Sequence, residues 1–328
     1  MLAAFYTRTG PAREVLNVGE VETPTAGPGE VRVRLATSGV NPSDVKTRGG
    51  VRSRDLPFPR IVPQSDGAGV VDQVGDGVPP ARLGERVWVW NAAWGRPSGT
   101  AAQFVVLPAP QAVPLPADTS FEAGACLGIP ALTAYHAVHC NGGVAGKVVL
   151  VAGGAGAVGH YAVQFAKIAG ARLVIATVSG AAKASLARDA GADVVVNYRT
   201  EDVAQRCLDL TAGTGVDRIV ELDLAVNLGA DMAAVRRDGE ITAYGSSLPE
   251  IPVPFFPAIV KNVRLQFFIV YNLSDADRRA AVAGVTALLR QDRLKHNIDG
   301  RLPLARIAEA HELVESGRAL GNVLIDVA

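Results

Sequence analysis

Over residues 30–35 the chain alternates without exception: Val31, Val33 and Leu35 fall on one side, Arg32 and Arg34 on the other. Alternation with period two predicts a strand with one buried face. Further short apolar runs stand at 69–71, 85–90 and 102–107, separated by Pro and Gly. Many short strands between turn residues predict a β-rich, barrel-like first domain.

Beyond about residue 123 the texture changes. Val148, Val149, Leu150 and Val151 form an unbroken apolar run, the pattern of a strand covered on both faces. A Gly-rich turn follows it, then a helical stretch ending at Ala169 before Gly170. Strands are predicted at 173–177, 194–196, 218–222, 240–244 and 264–270, with helices at 181–190, 201–211 and 225–237 between them. Strands alternating with helices predict right-handed βαβ units and a six-stranded parallel sheet. The tail breaks the pattern, with helices at 275–290 and 305–316 and a strand at 323–325. It is expected to return to the first domain.

The turn after the first parallel strand carries the clearest chemistry. Gly153, Gly156 and Gly159 are spaced by three and open a helix. This spacing suits a tight turn, close approach of a pyrophosphate to the backbone, and close helix–sheet packing. Ala157 and Val158 then belong to the first helical turn, whose N–H groups attract phosphate. An NAD-binding unit places Asp or Glu about 20 residues on, against the ribose 2′-hydroxyl. Here the second strand ends in Thr177, Val178, Ser179 and Gly180, with Lys183 on the next helix. A carboxylate would repel a 2′-phosphate, whereas Ser179 and Lys183 can donate to one. Tyr198, after the third strand, is a candidate wall of the same pocket. The expected cofactor is therefore NADPH.

Composition narrows the class. Lys plus Arg and Asp plus Glu are 32 each, so no basic excess marks a nucleic-acid partner. No run approaches the ~20 apolar residues of a membrane helix. The first residues lack the basic start of a signal peptide. Cys126, Cys140 and Cys207 are too few and too scattered for a disulfide framework, so a cytoplasmic protein is expected.

With these residues in place, the chain resembles the medium-chain dehydrogenase/reductase superfamily, and within it the zinc-free, zeta-crystallin-like NADPH:quinone oxidoreductases. The resemblance rests on the runs at 39–44, 65–71 and 128–135, the phosphate loop, the 183–198 segment, Val226-Asn227-Leu228 and Gly321-Asn322-Val323. It implies an α/β chain in which residues 1–123 and 270–328 form a GroES-like catalytic domain and residues 124–269 a Rossmann domain. It also implies a cleft between the two and a homodimer or homotetramer. Asn41 would lie by the nicotinamide ribose and Thr133 at the nicotinamide end. Gly245, Ser246, Phe268 and Val270 would border the nicotinamide, and Asn322 would stand near the cofactor's far edge.

Zinc-dependent members of the superfamily carry a Cys where Asn41 stands and Gly-His-Glu where Gln64-Ser65-Asp66 stands. Thiolate and imidazole ligands are thus missing from those positions, and no metal is expected. His136, His139 and Cys140 cluster in sequence and read as part of one helix before the first parallel strand. A quinone or conjugated enone is already electrophilic and needs no strong Lewis acid. NADPH-dependent quinone reduction is the leading reading and reduction of conjugated C=C bonds the alternative; a cofactor-binding module with a structural or RNA role comes third. Asn41, Val51, Arg52 and Trp94 are the candidate substrate-pocket residues, Trp94 for stacking on a flat acceptor. Arg96 beside it reads as solvated surface.

Overall fold

The computed structural model describes residues 1–51 and 53–327. Arg52 lies outside the described residues. The chain forms two compact units, Met1–Ile129 with Val285–Ala328, and Pro130–Gly284.

The first unit is built on a seven-stranded sheet. Its order is Ile298–Pro303, Asn322–Asp326, Glu30–Val40, Asp66–Val74, Arg86–Val89 and Ala112–Pro114, with Phe104–Pro108 also pairing to Glu30–Val40. Only the first pair is parallel. The alternation in the long strand is realised as read: Val31, Val33 and Leu35 enter the core with Val71, Val105 and Ile325. On the other face Arg32 forms a two-pronged pair with Asp72, each contact 3.0 Å. The short helix Phe121–Gly124 belongs to this unit, since Thr37 Oγ1 donates to the Phe121 carbonyl and Arg301 pairs with Glu122.

The second unit is a parallel sheet: β1 (Val148–Val151), β2 (Leu173–Val178), β3 (Val194–Asn197), β4 (Val216–Glu221), β5 (Val235–Ala243) and β6 (Arg264–Phe267). Across the sheet the order is β3-β2-β1-β4-β5-β6, every pair parallel. That is the doubly wound dinucleotide-binding arrangement, with its switch point between β1 and β4. The helices are α1 (Leu132–His139), α2 (Ala157–Ile168), α3 (Ala181–Asp189), α4 (Val203–Leu210), α5 (Leu224–Ala234), α6 (Phe255–Val260) and α7 (Asp275–Arg290). The fully buried Arg218 of β4 pairs with Glu240 of β5 and donates to the Ala137 and Cys140 carbonyls, tying α1 to the sheet.

Two local readings are corrected. β6 stops at Phe267, and Val270 opens a 3₁₀ turn instead of lying on the strand. The Arg278 guanidinium takes the Val270 carbonyl, which removes it from any ladder. Helix α5 ends at Ala234 instead of 237, because Val235 is already extended (φ −68°, ψ 136°) and opens β5. The second unit runs to Gly284, inside α7, because that half of the helix packs on α1. A Cβ at Gly284 would stand 2.2 Å from the Tyr135 hydroxyl. Among the described residues no helix is long and apolar enough to cross a membrane.

His311, in the helix Ile307–Glu315, is fully buried and neither ring nitrogen meets a hydrogen-bond partner. Burial, and secondarily the Arg48 guanidinium, push its pKa down to about 3. The unfolded chain, with an ordinary histidine near 6.5, takes up the proton first, so stability falls as pH drops below that value. The full slope is about 1.4 kcal/mol per pH unit. Urea unfolding at pH 7 and pH 4.5 checks this: His311→Leu should lose roughly 2 kcal/mol less than the wild type over that interval.

Candidate functional site

In the first unit the residues of interest gather at the end of the strand Glu30–Val40. Asn41 follows it, is buried, and receives the start of the helix Pro42–Arg48, with Asp44 Oδ2 accepting the Asn41 backbone N–H at 2.8 Å. Asn41 Nδ2 donates to Asp66 Oδ2 at 2.8 Å, and the same oxygen accepts the Ile129 N–H at 2.9 Å. A Cβ at Gly128 would stand 2.2 Å from Asp66 Oδ1, so the carboxylate is enclosed. Gln64 is buried in the left-handed region at φ 77°, and its Oε1 accepts from Ser38 Oγ. These side chains do not fit zinc. Zinc sites of this size use thiolate, imidazole or open carboxylate oxygens. Here an amide N–H occupies the carboxylate and a hydroxyl occupies Gln64. Asp66 went unremarked as an organising residue in the sequence. Its signal was an acid within an otherwise apolar and glycine-rich strand start.

The remaining first-unit candidates are spread out. Val51 is 71% exposed and Trp94 40% exposed. Arg96 is not solvated: its guanidinium donates to the Asn91 carbonyl and Gln111 Oε1 and braces the Trp94 loop. Asn322 is buried, and its Nδ2 donates to the Asn297 carbonyl at 2.9 Å, aligning the two parallel strands of the tail.

In the second unit the candidates converge on the C-terminal edge of the sheet, where ligands bind in open α/β folds. Gly153 turns the chain with φ 65°, a conformation that Gly adopts without strain. Its N–H donates to Thr177 Oγ1 at 3.0 Å, and the Gly154 N–H to the Thr177 carbonyl at 3.0 Å. Thr177 is thereby a clamp that fastens the loop to β2. Gly156 precedes α2 and no side chain caps that helix, so the first-turn N–H groups of Ala157, Val158 and Gly159 remain for an anion. A Cβ at Gly159 would stand 2.1 Å from the Gly153 carbonyl oxygen. The loop is a cradle made of backbone.

Ser179 and Lys183 are half-buried past the end of β2, with Gly180 preceding α3. Tyr198 is 52% exposed, and its N–H donates to the Val178 carbonyl at 3.1 Å, which brings it to the end of β2. At the opposite side of the sheet a cavity of about 410 Å³ is lined by Tyr244, Gly245, Ser246, Ile251, Phe268 and neighbouring residues of β5 and β6. No lining residue is charged. Phe268 packs near Tyr244, with ring centres 6.2 Å apart, and near His136, 4.6 Å apart. Burial and the Glu221 carboxylate push the Tyr244 hydroxyl far above its ordinary range, so it stays a proton donor. Ser246 spends its hydroxyl on the Leu248 carbonyl at 2.6 Å. Thr133 is buried on α1.

Leu222, which the sequence did not single out, lies against the cradle: a Cβ at Gly153 would stand 2.3 Å from its Cδ2. The His136–Cys140 stretch is committed to packing. His139 stacks on Tyr135 with centres 3.9 Å apart, and burial lowers the pKa of both histidines.

Known proteins with these features agree on the family. Residues 27–117 match the alcohol dehydrogenase GroES-like domain and residues 157–287 the zinc-binding dehydrogenase family. The human quinone oxidoreductase is 28% identical over 95% of this chain and 94% of that protein. An NAD-dependent alcohol dehydrogenase structure is 31% identical over the whole of both chains, with a TM-score of 0.91. A mycobacterial protein solved in complex with NADPH is 30% identical over 99% of both chains, with a TM-score of 0.87. With its GroES-like and doubly wound parts and these full-length relatives, the chain belongs to the medium-chain dehydrogenase/reductase superfamily.

Proposed function

We propose that this protein is an NADPH-dependent oxidoreductase that reduces quinones without a metal. The observation that carries the reading is the uncharged, aromatic-lined cavity at the ends of β5 and β6, on the same sheet edge as the backbone phosphate cradle. NADPH, when bound, supplies the hydride. The residues of this chain supply everything around that transfer. Ala157, Val158 and Gly159 present N–H groups to the pyrophosphate. Ser179 and Lys183 take the 2′-phosphate, with Tyr198 alongside. Gly245 lets the turn after β4 pack against the end of β5, since a Cβ there would stand 2.1 Å from the Leu222 carbonyl oxygen. Tyr244 and Phe268, their rings tilted by 51°, offer apolar surfaces against which an aromatic acceptor can pack. An uncharged wall favours a neutral quinone over an anionic substrate.

The Asn41–Asp66 hydrogen bond supports the metal-free part of the proposal, because Asp66 Oδ2 already accepts the Asn41 amide and the Ile129 N–H and Asn41 offers no thiolate or imidazole. The three cysteines are free thiols, which supports a cytoplasmic setting. A homodimer is proposed through the sheet edge: β6 is an outer strand, and Phe255, Phe256, Ile259 and Phe267 nearby are each more than half exposed. An open apolar edge strand is a surface that proteins normally cover.

Three outcomes are expected. With EDTA present, NADPH oxidation should be supported by para- and ortho-quinones, with kcat/KM for NADPH at least about tenfold above that for NADH. Turnover only with a conjugated enone would move the assignment to C=C reduction, and turnover only with alcohols and NAD would reject it. Lys183→Ala should raise KM for NADPH by roughly tenfold to a hundredfold while leaving the NADH value within about twofold, the loss of one charge-assisted contact. In sedimentation, Phe256→Asp should convert a wild-type dimer to monomer with its circular dichroism unchanged; a monomeric wild type would end the dimer proposal.

A further inference from the structure

At the end of β4 two carboxyl groups are buried against each other. Glu221 is the last residue of the strand and Asp231 lies in α5; they are 0% and 3% exposed. Glu221 Oε1 accepts two hydrogen bonds from the turn that follows, from the Asp223 N–H and from Asn227 Nδ2, the latter at 2.9 Å. Glu221 Oε2 and Asp231 Oδ2 are both buried, and no N–H or hydroxyl from another residue reaches either. The ionisable groups around them are Asp223 in the turn, Cys207 of α4 and Tyr244 at the end of β5, all neutral or negative. Two ionised carboxylates cannot be kept together in such a setting. The arrangement closes when Asp231 keeps its proton and donates it to Glu221. Burial first, then the charge of Glu221, push Asp231 up to about 9. Glu221 is also raised by burial, but its hydrogen bonds from Asn227, Asp223 and Asp231 oppose this.

The turn held this way touches both sides of the proposed cofactor site. Leu222 packs on Gly153 of the cradle. Asp223 Oδ1 accepts the Ser247 N–H at 2.7 Å, and the Leu224 N–H donates to the Gly245 carbonyl at 3.1 Å. We propose that Glu221 and Asp231 share a single proton, with Asp231 as donor, and that this pair is the positioning element that sets the 222–227 turn between the phosphate cradle and the nicotinamide end. The second half of that statement rests on the NADPH reading above.

Asp231→Asn tests it, since the amide keeps a donor to Glu221 and cannot ionise. A carboxyl whose folded pKa is raised contributes stability that is lost as pH rises toward that pKa. The melting temperature of cofactor-free wild type should therefore fall relative to Asp231→Asn as pH goes from about 5 to about 9. NADPH affinity, read by fluorescence titration, should weaken about fivefold more in wild type than in Asp231→Asn between roughly pH 8 and pH 10, as the pair becomes doubly charged and the turn loosens. Effects of Lys183 or of the cofactor's own ionisation are common to both proteins and cancel. Infrared spectroscopy of the wild type gives an arm independent of any variant: a protonated carboxyl band present near neutral pH should disappear above about pH 9. Absence of that band, or superimposable wild-type and Asp231→Asn curves, overturns the proposal. If NADPH binds neither protein, the cofactor reading and the positioning role fail together, while the melting and infrared arms still decide whether the proton is shared.

Discussion

The carbonyl oxygen of Gly153 occupies the space that a side chain at residue 159 would need; a Cβ there would come within 2.1 Å. Much of the second unit follows from that contact. Helix α2 can approach β1 closely only because residue 159 is glycine, and the approach leaves the first turn of the helix pointing past a loop whose only side chains are the buried methyl groups of Ala152 and Ala155. Thr177 then secures the loop from β2, and Leu222 leans on it from the turn after β4. The cradle is thus held from both neighbouring strands, on either side of the switch point where β1 meets β4.

Charge is distributed around that cradle in a consistent way. The end of β2, where an NAD-binding unit would place a carboxylate, carries Ser179 and Lys183 instead. The acids of the neighbouring β4 edge are withdrawn from the surface, with Glu221 buried under the turn and matched to Asp231. The sheet edge therefore offers N–H groups, a hydroxyl and an ammonium where phosphates would lie, and apolar rings where the nicotinamide and a flat acceptor would lie. In the first unit, Asn41 donates to Asp66 and neither residue is a thiolate or imidazole ligand. In the proposed reading, both features suit an electrophilic acceptor whose reduction needs placement more than polarisation.

Sequence alone revealed those parts of the molecule whose local chemistry has few solutions. The alternation through Val31, Val33 and Leu35 read directly as a strand, and the glycines at 153, 156 and 159 gained their meaning from the strand before them, the helix after them and the βα units that follow; six parallel strands were legible, their order was not. Features set by distant partners were hidden. The apolar run at 264–270 reads as one strand, yet its partner β5 stops at Ala243, so pairing ends at Phe267, and Arg278, eight residues beyond Val270, takes the Val270 carbonyl. Helix α6 could not be read from burial periodicity because its apolar residues face outward. Arg96 looked solvated because Gln111, its partner, is far along the chain. Glu221 and Asp231 each resembled an ordinary acid until the fold placed them together.

The central claim is that a backbone cradle, with Ser179 and Lys183 past the end of β2, selects a 2′-phosphorylated dinucleotide. Calorimetric titration of the purified protein with adenosine 2′,5′-bisphosphate and with adenosine 5′-diphosphate tests it without any turnover. The account predicts binding of the 2′-phosphorylated ligand at least about tenfold tighter, with the difference removed by Lys183→Ala. Equal affinities, or preference for adenosine 5′-diphosphate, would contradict it.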